Sequence, residues 1–117
     1  MKKQKHDRRI DYIEFHSTDI EASKRFYGAV FGWIFKDWGP DYASFRDGRL
    51  AGGFRKTGEV ISGSPLVVLY AMDLVEIESE EKKHGGKIVE PTFEFPGGKR
   101  FHFSDPTGNV LGVWSED

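Results

Sequence analysis

The order of periodic segments predicts an α+β domain in which one unit, strand–helix–strand–strand–strand, is used twice. Segments of period two and period 3.6 follow one another in the same order in both halves, and a helix-opening aspartate recurs after 54 residues, at Asp19 and Asp73. Glycines close both helical stretches, Gly32 in the first half and Gly85-Gly86 in the second. A repeat of fixed period outranks local propensity as a sign of architecture. With 117 residues, 38% hydrophobic and 15% aromatic, the chain has apolar side chains for one compact domain and not for two.

Residues 10–16 alternate, with Ile10, Tyr12, Glu14 and His16 on one face and Asp11, Ile13 and Phe15 on the other, the pattern of a strand. Thr18 with Glu21 three residues on reads as a capping box, and Asp19 adds negative charge to the first turn. Ile20, Ser23, Phe26, Tyr27, Val30 and Phe31 then fall on one stripe at helical spacing, up to the left-handed stop at Gly32. Three strands follow, WIFKDW, YASFR and LAGGF, the last two joined by the hairpin dipeptide Asp47-Gly48. KTGEVISGS is a loop.

The second unit opens with the strand PLVVLYAM, followed by a helix that starts at Asp73 and Glu76. KIVEPTFEF, a Pro96-Gly97 turn, KRFHFS, a type I turn at Asp105-Pro106-Thr107-Gly108 and NVLGVW complete it. The units run over about 10–58 and 64–115 of a single domain spanning 10–117, behind a flexible basic tail at 1–9. Each has too little apolar face to stand alone, so the expectation is that they pack together, with helices on one face of each sheet and the other faces lining a shared trough.

Composition excludes much. With no cysteine, disulfides, thiolate zinc sites, iron–sulfur clusters and cysteine nucleophiles are ruled out. No run of about 18 apolar residues exists and the first nine residues lack a signal-peptide core, so the expectation is a cytoplasmic protein with no membrane partner. Five basic residues against Asp7 in the tail leave the rest of the chain at −6 within an overall −2, an acidic body that argues against a nucleic-acid groove. There is no phosphate-binding loop, since Gly52-Gly53 lacks the Lys-Ser/Thr sequel, and SGSPL lacks the flanks of a nucleophile elbow. Glu78, Glu80 and Glu81 share a charged helix with Lys82 and Lys83, which makes them a solvated face.

STDIEASKRFYGAVFGW resembles the first-helix signature of the glyoxalase, bleomycin-resistance and extradiol-dioxygenase (vicinal oxygen chelate) superfamily, and HGGKIVEP and FSDPTGNVLGVW resemble its second-module signatures. Phe26-Tyr27, Phe31-Gly32-Trp33, Gly85-Gly86 and Asp105-Pro106-x-Gly108-Asn109 occur in family order, and the resemblance covers roughly 10–115. It implies paired βαβββ modules around a cavity, the glyoxalase-like fold. In the enzymes of that superfamily, the cavity commonly holds a divalent metal on His and Glu ligands. Carried onto this chain, the four ligand places fall at Tyr12, at Leu66, within the acid-free stretch 48–58, and at Gly112. A neutral phenol, an aliphatic chain and bare backbone do not make a divalent-ion site. The expectation is therefore no tightly held metal and no cofactor.

By strand parity, Tyr12, Glu14, His16, Tyr70 and Trp114 line the trough, joined by Arg100 and His102 if Phe101 and Phe103 pack beneath the helix. Each has a functional and a structural reading. His16 is a general base, or with Glu14 and His102 a replacement metal site, or only a strand histidine on a wet surface. Tyr12 and Tyr70 donate to a ligand or pack at a rim, and Glu14 is a partner of His16 or a solvated acid. Trp33, Trp38 and Trp114 offer stacking surfaces, with the core as the default for Trp33. Gly52-Gly53 allows close approach of a ligand or marks a bulge, and the bulge is the simpler reading. His84, at a helix end, suits the helix dipole. The expected function is binding of a small organic ligand by a homodimer. The alternative is a metal-dependent lyase or dioxygenase with ligands relocated to Glu14, His16 and His102.

Overall fold

A computed structural model describes residues 5–60 and 65–116. The element order is β1 (Arg9–Ser17), α1 (Ile20–Phe31), β2 (Ile34–Asp37), β3 (Tyr42–Arg46), β4 (Ala51–Lys56), β5 (Leu66–Tyr70), α2 (Leu74–Lys83), β6 (Lys87–Phe95), β7 (Gly98–Ser104) and β8 (Val110–Ser115). This is the α+β arrangement of two βαβββ modules that the repeat predicts. Part of the expected loop, 61–64, lies outside the described residues.

The chain forms two compact units, Tyr12–Leu66 and the stretch from Val67 onward together with the segment ending at Asp11. In the first, β2, β3, β4 and β1 form a sheet in that order, with β1 parallel to β4 and the other pairs antiparallel. The second repeats the scheme as β6, β7, β8 and β5, with β5 parallel to β8. A parallel pair needs a long crossover, and in each unit the helix and two intervening strands supply it.

Both helices open on aspartate. Asp19 Oδ1 accepts from the Ala22 amide at 3.1 Å and Asp73 Oδ1 from the Glu76 amide at 3.0 Å. The cap of α1 is therefore Asp19 and not Thr18: Ser17 is still in β1, its hydroxyl receives the Asp19 amide at 3.2 Å, and the first helical residue is Ile20. At the far end Gly32 takes the left-handed conformation (φ 75°) and donates to the Gly28 carbonyl at 3.0 Å, as a C-terminal glycine should.

The first core gathers Ile20, Ala43, Phe45 and Phe54, with Phe15, Tyr27, Trp33 and Phe35 packed against it. Trp33 stacks on Tyr27 at 4.6 Å and on Phe45 at 4.3 Å, the core role expected of it. The expected six-residue stripe of α1 is narrower than its spacing implied. Ile20 and Tyr27 meet the sheet, whereas Phe26, Val30 and Phe31 are exposed, because β2 is four residues long and offers little for the end of the helix to cover. The second core holds Ala71, Leu74, Phe101 and Val113, with Ile77, Ile88 and Phe103 against it.

Gly52-Gly53 is no bulge. β4 pairs in unbroken register with both neighbours, and the register shifts fall in β6 instead, between Ile88 and Phe93, around Pro91. Within the stretch assigned to the tail, Asp7 accepts from the Met72 amide at 2.8 Å, the Arg8 amide donates to the Tyr70 carbonyl at 2.7 Å, and the Arg8 guanidinium pairs with Glu76 at 2.8 Å. β1 itself begins at Arg9.

Candidate functional site

In each unit the helix covers one sheet face, and pairing register identifies the residues on the other. In the first unit Phe15, Phe54 and Ala43 lie in one cross-strand row beneath α1. The intervening rows therefore turn away from the helix: Glu14, Gly53 and Ser44 in one, His16, Arg55 and Tyr42 in the next, and Tyr12 opposite Ala51.

A hydrogen-bonded chain crosses this face. The Tyr42 hydroxyl donates to Glu14 Oε1 at 3.0 Å and lies 2.6 Å from the Tyr12 hydroxyl. An ionised carboxylate only accepts, so it fixes the direction of the chain: Tyr12 donates to Tyr42, and Tyr42 donates to Glu14. Glu14 is 4% exposed, with the Arg55 guanidinium at 4.0 Å from its other oxygen. Burial, the Glu14 charge and the Tyr12 neighbour push the Tyr42 phenol well above its ordinary range, which keeps it a donor.

The two hydroxyls lie directly over Gly53, where any Cβ would overlap both, and the Phe45 ring fills the corresponding place over Gly52 on the helix side. The double glycine is thus the floor of an intramolecular network on one face and of a core ring on the other. Sequence reasoning placed Tyr12 and Glu14 correctly on this face and missed Tyr42 and Arg55. The available signal was parity in YASFR: once Ala43 and Phe45 point to the core, Tyr42 must point the other way.

In the second unit Phe101, Val113 and Leu69 form a row on the α2 side, with Phe101 and Val113 in the core beneath the helix. The condition set for Arg100 and His102 is met, and both turn to the helix-free face. Tyr70, Trp114, Arg100 and Phe93 make one row there, and Val68, Gly112, His102 and Glu90 the next. Tyr70 is fully buried, meets Trp114 edge-on at 5.1 Å and donates to Glu116 at 2.6 Å. Trp114 Nε1 donates to Asp11 at 3.0 Å. The Arg100 guanidinium lies 5.4 Å from the Phe93 ring and 5.6 Å from the Phe95 ring, and His102 meets Phe93 edge-on at 5.7 Å.

The seven expected residues therefore fall as two sets, Tyr12, Glu14 and His16 on the first unit and Tyr70, Arg100, His102 and Trp114 on the second. Among the described residues, no three His, Asp or Glu side chains come together as a metal site. At the places the superfamily uses for ligands, the Tyr12 hydroxyl is bonded to Tyr42, Leu66 begins β5, and Gly112 sits mid-strand between Val68 and His102. This donor set does not fit a divalent ion.

Residues 9–47 match the family profile described as bleomycin resistance protein-like N-terminal. A Mycobacterium bovis protein carrying the provisional name glyoxylase CFP32 is 27% identical over 115 residues, covering 89% of this chain and 44% of that protein. The chain thus spans less than half the length of this curated relative. Methylmalonyl-CoA epimerase from Mycobacterium tuberculosis superposes with a TM-score of 0.76 at 10% identity, over 92% of this chain and 87% of the other. A glyoxalase/bleomycin resistance protein/dioxygenase superfamily member from Vibrio splendidus 12B01 gives 0.69 at 16% identity, over 92% and 98%. At such identities the structural likeness is one of fold.

Proposed function

The chain belongs to the glyoxalase/bleomycin resistance/dioxygenase superfamily, and from that premise we propose that it binds a small organic molecule on its helix-free sheet faces without a tightly held metal. The observation that carries this reading is the Tyr12–Tyr42–Glu14 chain over Gly53. It commits the phenol at one ligand place to an internal hydrogen bond, while Leu66 and Gly112 supply no donor at two others. What the faces offer instead is an aromatic wall with a few placed polar groups, which is how small-molecule sites are generally built.

No helix among the described residues is long and apolar enough to cross a membrane. A cytoplasmic location belongs to the same proposal, and a chain without cysteine is consistent with it. A homodimer belongs to the same proposal: β2 and β6 end their sheets, and a second copy is the simplest cover for such edges. A sedimentation mass of one chain sinks that part.

Trp114 is the natural reporter. Trp33 is locked in the core, and Trp38 Nε1 donates to the Ser44 hydroxyl at 2.9 Å. Titrating small aromatic and dicarbonyl compounds should give saturable fluorescence quenching that Trp114→Phe removes. A flat response across the panel, or one metal equivalent retained after purification without chelator, overturns the reading.

A further inference from the structure

Resting on that reading of the helix-free faces, we propose that the first unit's face selects a small organic polyanion, a molecule with negative charges on two or more separate groups. Three exposed cations stand on this face, Lys36 on β2, Arg46 on β3 and Arg55 on β4. The residue before each in sequence, Phe35, Phe45 and Phe54, belongs to the first core or packs against it, so strand alternation turns all three cations to the helix-free side. Trp38 joins them there. Its Nε1 donates to the Ser44 hydroxyl at 2.9 Å, and the Lys36 ammonium lies 4.3 Å from its ring centre, a contact that holds the ammonium at this face.

Charge and spacing decide the ligand class. In the cross-strand rows that hold the three cations, the one carboxylate is Glu14, which takes the Tyr42 hydroxyl at 3.0 Å and has the Arg55 guanidinium at 4.0 Å. Three positive charges against one negative leave these rows cationic in a chain whose net charge is −2. Among the described residues no carboxylate pairs with Lys36 or Arg46, whereas Lys24 of α1 is held by both Glu21 and Asp37. Arg46, Lys36 and Arg55 occupy successive rows, and rows are about 7 Å apart along a strand. One carboxylate does not reach across that spread; two or three anionic groups on a small scaffold do. A nucleic-acid groove neutralises more phosphates, on the order of 6–10, so three cations make a smaller footprint.

Titration of the full chain at low ionic strength with benzamide, benzoate and 1,3,5-benzenetricarboxylate, which share one ring and carry no, one and three charges, tests the inference. The readout is the Trp38 indole signal in NMR, assigned through Trp38→Phe. The tricarboxylate should move it saturably and bind roughly fivefold or more tightly than benzoate, with the advantage shrinking as salt is added. Arg46→Gln should weaken the tricarboxylate about two- to fivefold and leave benzamide unchanged. Lys83→Gln, the same change of net charge on α2, should alter none of the three. Equal affinity for the tricarboxylate and benzoate, or an equal loss in the two variants, overturns the polyanion selection and leaves the binding reading standing. A Trp38 signal unmoved by all three probes, with the Trp114 panel saturating, does the same. A flat response in both experiments removes the two readings at once. The comparison of probes on the unaltered protein does not depend on any variant folding.

Discussion

Tyr42 satisfies two groups at once, giving its proton to a carboxylate that is 4% exposed and receiving one from Tyr12. Removing the hydroxyl leaves Glu14 desolvated without that donor, so Tyr42→Phe should cost about 1–3 kcal/mol in urea unfolding. Tyr12→Phe, which only removes the outer end of the chain, should cost less. Equal losses would mean that the direction assigned to the chain is wrong. At this scale the sequence was partly legible. Strand parity put Tyr12, Glu14, Tyr70 and Trp114 on helix-free faces, but what Glu14 bonds to depended on Tyr42, 28 residues away and two strands across. No local pattern records a pairing of that kind. The glycine pair was misread for the same reason, since the side chains that need Gly53 come from β1 and β3 and not from its own strand.

The β7–β8 turn was legible as a type I turn, and the structure adds the bonds of the Asp105 side chain. Asp105 Oδ1 accepts from the Thr107 and Asn109 amides at 3.0 and 2.9 Å, Oδ2 accepts from the Asn109 side chain at 3.0 Å, and the Gly108 amide returns to the Asp105 carbonyl at 3.0 Å. The Asn109 bonds first, then those of Thr107, bring the Asp105 carboxyl down from 3.8 to about 2. A folded-state value below the unfolded one stabilises the turn above the unfolded value, and that stabilisation is lost as pH falls through the folded one. The stability gap between the unaltered protein and Asp105→Ala should therefore be present at neutral pH and close between about pH 4 and pH 2. A gap independent of pH would mean the carboxylate charge is not what holds the turn. Helix α1 shows the opposite case. Its cap moved one residue, to Asp19, and half its apolar stripe stayed in solvent, because periodicity reports which residues share a face and says nothing of how far the facing sheet extends.

Across the whole molecule, burial and pattern part company in a way that stability can measure. Phe101 and Phe26 are the same residue type, yet Phe101 is fully buried in the second core and Phe26 is 54% exposed on α1. Phe101→Ala should cost about 3–5 kcal/mol, whereas Phe26→Ala should stay within about 0.5 kcal/mol, both read from denaturant midpoints. A large loss at Phe26 would mean that this face of α1 is covered in solution. The sequence alone determined the architecture, because the 54-residue repeat, the two aspartate openings and the two glycine stops are local signals that act through propensity, capping and turn geometry. It showed as well which residue types stand at the positions onto which the resemblance carries the superfamily's ligands, Tyr12, Leu66 and Gly112, since that depends only on residue type at a register position. Tertiary structure alone decided which side chains meet. The Tyr12–Tyr42–Glu14 chain, the approach of the Arg100 guanidinium to the Phe93 and Phe95 rings, and the exposure of Phe26 all rest on cross-strand neighbours and on the reach of a sheet, and those distances do not exist until the strands are paired.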